Sequence, residues 1–154
     1  MQILAIDPGP TESAYVLWDG ERILRHDKTM NALLCDAITT KLLTPDHLVV
    51  EKIASYGMPV GEEVFETVWW SGRFCQAFYA HLMPAWRITR GEIKLHLCNT
   101  KRAKDANVRQ ALIDRLGPPG TKKAPGATYG IHADEWAALA VAVTWWDKYR
   151  SKYA

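Results

Sequence analysis

Short apolar runs and helical spacings alternate along this chain. Residues 2–7 form a compact apolar run that stops at Asp7-Pro8-Gly9, which predicts a buried strand ending in a turn. Ala14 to Trp18 predicts a second strand. Asp19-Gly20, a turn pair that tolerates positive φ, leads into a third strand from Arg22 to His26. These three make an antiparallel meander. Met30 to Leu42 carries apolar residues at 30, 33, 34, 37, 38 and 42, a helical period, and Thr44-Pro45-Asp46 breaks it. His47 to Glu51 reads as a fourth strand whose apolar centre suits burial on both faces.

Gly57-Met58-Pro59-Val60-Gly61 is a loop. Glu62 to Leu82 predicts a long helix with acidic residues in its first turn, where they complement the helix dipole. Trp86 to Thr89 predicts a fifth strand. Asp105 to Leu116 predicts a helix stopped by Gly117-Pro118-Pro119-Gly120, and residues 117–131 form a Gly/Pro-rich loop holding Lys122 and Lys123. The last helix is expected from about Ala133 to Tyr149. The order βββ-α-β-α-β-α-α predicts an α/β fold. Its mixed five-stranded sheet has three antiparallel strands first and helices on its flanks. No repeat or linker divides the chain, so residues 1–154 are read as a single domain.

Composition narrows this picture. With 48% hydrophobic and 23% charged residues, the chain is globular in character. No stretch approaches the roughly 18 uncharged apolar residues of a membrane span, and no signal peptide is evident. Cys35, Cys75 and Cys98 are odd in number and widely spaced, which fits reduced thiols in a soluble cytoplasmic protein. The net charge of +2 conceals an asymmetry. Residues 1–86 hold 6 Lys/Arg against 11 Asp/Glu, whereas residues 87–123 hold 10 against 3. A basic block beside an acidic region suits a protein that holds phosphates. A solvated helix face would have the same composition.

Three acidic residues fall at structural joints. Asp7 ends the first strand, Glu51 ends the fourth, and Asp134 opens the apolar segment from Trp136 to Trp146. Two strand ends and a helix start can bring these carboxylates to one edge of the sheet. Clustered carboxylates repel one another and favour hard divalent cations. Two such ions, about 4 Å apart, can clamp the attacking and leaving oxygens of a phosphodiester. The residues therefore point to a metal-dependent nuclease. Each carboxylate also has a plainer reading: a turn aspartate, a strand-end charge, and a helix N-terminal residue.

Ile6-Asp7-Pro8-Gly9-Pro10-Thr11-Glu12-Ser13-Ala14-Tyr15 resembles the opening of the RuvC-type Holliday-junction resolvases, a ribonuclease H-like family. Val49-Val50-Glu51-Lys52-Ile53 is similar to their second acidic strand, and His132-Ala133-Asp134-Glu135-Trp136-Ala137-Ala138-Leu139-Ala140-Val141-Ala142 to their last helix. The three motifs keep the family's order and span essentially the whole chain. Ala14 stands where the family usually has Gly before the Tyr.

The resemblance implies an endonuclease that resolves Holliday junctions or other branched DNA in recombination, repair or genome processing. It would use two Mg²⁺ or Mn²⁺ ions per site, held by Asp7, Glu51 and Asp134. The family carries two ligands on the last helix. One register pairs Asp134 with Ala137, which leaves Glu135 or His132 to supply the missing ligand. The other takes His132 and Glu135 as the pair, and the sequence leaves both open. The basic block supplies candidate phosphate contacts in Arg90, Lys94, Lys101, Arg102 and Lys104. Tyr56 corresponds to a family aromatic that wedges into the junction, and a loop aromatic folded onto the core is its alternative.

The helix at 62–82 carries Phe65, Val68, Trp69, Trp70, Phe74, Phe78, Tyr79 and Leu82, more aromatic surface than one sheet contact buries. A homodimer through that helix is expected. Two rival functions stand beside the resolvase. One is a ribonuclease H-like nuclease acting on RNA–DNA hybrids or flaps. The other is a non-catalytic junction-binding protein, motivated by Ala137.

Overall fold

The computed structural model describes residues 1–153. Its strands are β1 (Ile3–Asp7), β2 (Glu12–Trp18), β3 (Ile23–Met30), β4 (His47–Lys52) and β5 (Ala85–Thr89). Its helices are α1 (Asn31–Thr39), α2 (Glu62–Tyr79), α3 (Arg90–Cys98), α4 (Asp105–Leu116) and α5 (Glu135–Tyr149). One five-stranded sheet has the order β3-β2-β1-β4-β5. β1, β2 and β3 pair antiparallel, while β4 runs parallel to β1 and β5 parallel to β4. The mixed sheet with its antiparallel strands first is the ribonuclease H-like arrangement expected from the sequence.

Side-chain alternation along the central strands feeds two cores, one on each face. Ile3, Ala5, Ala14, Val16 and Val49 pack under α5 with parts of α3 and α4. Leu4, Ile6, Tyr15, Leu48 and Val50 pack under α1 and α2 through Leu34, Ile38, Phe74 and Phe78. Covering both faces explains why β1 and β4 read as continuous apolar runs. α5 is buried on nearly every side, from Trp136 to Trp145, as a helix clamped between a sheet and other helices must be. Among the described residues no helix is long and apolar enough to cross a membrane.

Several elements differ from the sequence reading. β3 extends to Met30, beyond His26, because its pairing with β2 continues to Glu12 opposite Met30. It is an edge strand with mostly exposed residues, so polar Asp27-Lys28-Thr29 hid it from an apolar criterion. α2 stops at Tyr79, and Leu82 beyond it has a left-handed φ of 64°. α3 is an additional helix. Thr89 and Glu92 start it with a capping box: the Glu92 N–H donates to Thr89 Oγ1 at 3.2 Å, and the Thr89 N–H donates to Glu92 Oε2 at 2.8 Å. Only Ile93 of α3 is buried, so no apolar stripe announced it.

Asp147 fixes α5 against its neighbours. Its carboxylate accepts from His96 Nε2 at 2.7 Å on α3 and from both terminal nitrogens of Arg115 on α4, with Arg115 Nη2 at 2.6 Å. Burial alone would raise its pKa, but these donors outweigh burial and hold it below the usual carboxylate range. A depressed folded value contributes stability above the unfolded pKa that disappears as pH falls through the folded one. Asp147→Asn should therefore lower stability by about 1–2 kcal/mol at neutral pH. In urea titrations the variant and wild type should converge in acid. A constant gap across the pH range would contradict this account.

Candidate functional site

The pairing registers bring Asp7 and Glu51 side by side. β1 and β4 pair Ile6 with Val50, and the next residue on each strand is the acid. Both strands run in the same direction, so both carboxylates emerge at their carboxyl ends. Strand spacing puts the two backbones about 4.8 Å apart. Glu51 is buried and Asp7 is half-buried.

The turn after Asp7 is tightly held. Ser13 Oγ accepts from the Gly9 N–H at 3.1 Å and donates to Asn31 Oδ1 at 2.6 Å. Asn31 Nδ2 donates to the Gly9 carbonyl at 2.9 Å. A Cβ on Gly9 would lie 2.3 Å from the Glu12 carbonyl oxygen, so the turn closes only on glycine. Ser13 and Asn31 are both buried. The sequence reading passed over them, because a buried Ser–Asn bond has no periodic signature.

Asp134 reaches the same edge from α5. It occupies the N-cap position, yet its side chain makes no cap hydrogen bond. Its Oδ2 instead accepts from Lys28 Nζ at 2.7 Å. Ala133 just before it has a left-handed φ of 45°, which costs a non-glycine residue about 1 kcal/mol. The strained residue turns the chain so that Asp134 faces outward to the sheet edge. The plain helix-cap reading of Asp134 therefore lacks its defining bond.

Glu135 faces elsewhere. Its buried carboxylate accepts from the His132 N–H at 3.0 Å, and Oε2 lies 3.1 Å from Nδ1 of both His26 and His132. His132 Nδ1 also lies 2.8 Å from the Gly130 carbonyl oxygen. Glu135 and His132 thus sit with His26 of β3, not with Asp7. Glu135 binds a backbone N–H ahead of the helix, leaving the Asp134 carboxylate free of that task. The sequence reading had His26 only as the last residue of the third strand and gave it no part in this site.

Basic groups flank the acids. Arg90 Nε donates to Glu51 Oε1 at 3.0 Å. Asp105, at the start of α4, lies 3.6 Å from both Arg90 Nη1 and Lys94 Nζ. A cavity of about 100 Å³ is lined by Glu51, Arg90, Lys94, Asp105, Arg109 and Asp134, among others. A second groove of about 370 Å³ joins Asp7, Glu51 and Arg90 to the loop bearing Tyr56. Tyr56 is 72% exposed, so it is not folded onto the core. Lys101, Arg102 and Lys104 are exposed on the segment between α3 and α4.

Burial first, then the charges of Glu51 and Asp134, push the Asp7 pKa up to about 7 against the opposing pull of Arg90 and Lys28. Burial also raises Glu51, although Arg90 counters it. Among the described residues, no three acidic, imidazole or thiol groups converge as the ligands of one ion. Arg90 and Lys28 draw Glu51 and Asp134 to opposite flanks. The carboxylate oxygens of Asp7, Glu51 and Asp134 are nonetheless hard donors of the kind a divalent cation takes.

The chain matches no protein-family model and no curated protein. It is similar in structure to Thermus thermophilus RuvC, with a TM-score of 0.75 and 19% identity over 99% of this chain and 97% of that one. It is also similar to Thermus thermophilus RuvC in complex with Holliday junction substrate, with a TM-score of 0.72 and 20% identity over 94% of this chain and 92% of that one. At this identity the likeness is one of fold, and it extends over nearly the whole of each chain.

A carboxyl whose folded pKa is raised costs stability once it ionises, so the cost is absent at low pH and complete above the folded value. Asp7→Asn should melt higher than wild type at pH 8 in chelator, with the difference vanishing towards pH 4. Equal melting temperatures at pH 8 would mean the burial of Asp7 is already compensated.

Proposed function

We propose that this protein is a divalent-cation-dependent endonuclease that cuts branched DNA, with four-way junctions as its substrate. The observation that carries this reading is the pair of carboxylates, Asp7 and Glu51, at the carboxyl ends of β1 and β4, with the charge of Asp134 close enough to help raise the Asp7 pKa. The full-length likeness in fold to RuvC, alone and with its junction, supports the substrate class. Asp7, Glu51 and Asp134 would hold Mg²⁺ or Mn²⁺, two ions per site. Bound there, such ions supply Lewis-acid stabilisation of charge on a reacting phosphodiester. Arg90 and Lys94 sit where they would orient the phosphate at the acids. Lys101, Arg102 and Lys104 extend that cationic strip along the backbone without reading sequence. Tyr56, exposed beside the same groove, is suited to stack on an unpaired base. Recombination and repair are the processes that generate such substrates.

A homodimer through α2 completes this reading. Phe65, Val68, Trp69 and Tyr79 are 65, 50, 56 and 61% exposed along one helix. Arg73 lies 4.8 Å from the Trp69 ring and 4.2 Å from the Trp70 ring, a cation–π pair at the margin of this surface. A two-fold dimer would offer one acidic site to each of two opposed strands in a two-fold junction. A double Phe65→Glu, Trp69→Glu variant should sediment as a monomer with unchanged far-ultraviolet circular dichroism. Its association should be weaker by at least about thirtyfold. An unaltered dimer would move the interface elsewhere, and a monomeric wild type would remove it.

One observation favours a second reading, a non-catalytic binder: Glu51 and Asp134 already hold basic partners, and Glu135 faces away. Cleavage decides between them. End-labelled four-way junction, fork, RNA–DNA hybrid and duplex are incubated with wild type and Asp7→Asn, with and without Mg²⁺. Paired symmetric nicks in the junction, abolished in Asp7→Asn, are the expected result. Equal cutting of forks or hybrids would favour a broader nuclease. Tight junction binding with no cutting in Mg²⁺ or Mn²⁺ would leave only the binder.

A further inference from the structure

Lys28 lies in the same cross-strand row as Asp7. Asp7 is opposite Ala14 between β1 and β2, and Ala14 is opposite Lys28 between β2 and β3. Opposed residues share a face, so all three side chains rise on the side covered by α5. Two strand spacings separate the backbones of Asp7 and Lys28 by about 10 Å. Ala14 between them is buried and small. A longer side chain there would stand between the lysine and the acids. With alanine, the Lys28 stem has a clear path, and its ammonium lies 2.7 Å from Asp134 Oδ2. Arg90 holds Glu51 in the same way from the opposite flank.

An exposed lysine on an edge strand commonly does no more than discourage strand addition, and an exposed ion pair adds little stability. Two observations separate Lys28 from that case. Its partner forgoes the cap bond that an N-terminal aspartate normally makes. The residue before that partner is held in a left-handed conformation. Both costs leave the Asp134 carboxylate in reach of Lys28 and of the acidic edge.

We infer that Lys28 is the resident counter-cation of Asp134, exchanged when substrate arrives. A divalent cation takes the carboxylate, and the released ammonium takes a backbone phosphate of the nucleic acid. This rests on the nuclease reading above. It has a consequence independent of turnover. Without DNA, Lys28 competes with the metal for Asp134. With DNA, Lys28 adds one phosphate contact.

Mn²⁺ binding without DNA is measured from the free-ion electron paramagnetic resonance signal for wild type, Lys28→Met, Lys28→Arg and Asp7→Asn. Lys28→Met should bind Mn²⁺ about two- to fivefold more tightly than wild type, and Lys28→Arg should match wild type. Junction affinity is then followed against salt in Ca²⁺. The slope of log K against log salt for Lys28→Met should be smaller by about 1, with Lys28→Arg retaining it. Unchanged or weakened Mn²⁺ binding in Lys28→Met would overturn the competition. An unchanged salt slope would overturn the transfer to phosphate. A wild type that binds Mn²⁺ no better than Asp7→Asn would instead overturn the nuclease reading itself, whatever Lys28 does.

Discussion

Two carboxylates side by side at the ends of adjacent parallel strands are the constraint around which this molecule is arranged. Apart from solvent, like charges at that spacing must be offset, neutralised or bridged by a cation. Several features serve that need. Arg90 opens α3 beside Glu51, Lys28 reaches over Ala14 from the edge strand, and Asp7 holds its proton more firmly than a free carboxyl does. The Ser13–Asn31 bond locks the turn beyond Asp7, so that Asp7 cannot relax away from its neighbour. The geometry costs stability and is kept by the packing around it.

α5 links this edge to the cores. Its buried length fixes the helix against β1, β2 and β4 through Ala138, Leu139 and Ala142. Its first turn therefore cannot move without disturbing the sheet. Asp147 ties the far end to α3 and α4, the elements that carry Arg90, Lys94 and Asp105. The acidic and basic parts of the edge are thus held in one packed unit. Glu135, buried against His26 and His132, sets the turn that leads into α5.

The central strands and α5 were legible in the sequence because burial on both faces writes itself as apolar runs. Asp7 and Glu51 were legible for the same reason, as charges that end those runs. Edge and surface elements were not. β3 beyond His26 pairs through its backbone while presenting polar side chains, so composition alone could not extend it. α3 rests on a capping box and one buried isoleucine, and Gly91 with its basic neighbours masked its period. Thr89-Arg90-Gly91-Glu92 was the available signal. The choice between Asp134 and Glu135 depended on which way adjacent side chains turn at a strained junction. That is set by Ala133 and by His26 from a distant strand, which no local pattern contains.

The exposed margin of β3 bears on how copies of this chain can meet. Its exposed residues include Arg25, Asp27 and Lys28 between the exposed apolar Leu24 and Met30. Charges of both signs on a terminal strand make a poor template for another strand, since any register sets unlike surroundings against some of them. Growth of the sheet from one molecule into the next is thereby disfavoured on that side. Lys28, which pairs with Asp134 at the acidic edge, is thus also one of the charges that discourage the sheet from running on from one molecule into the next.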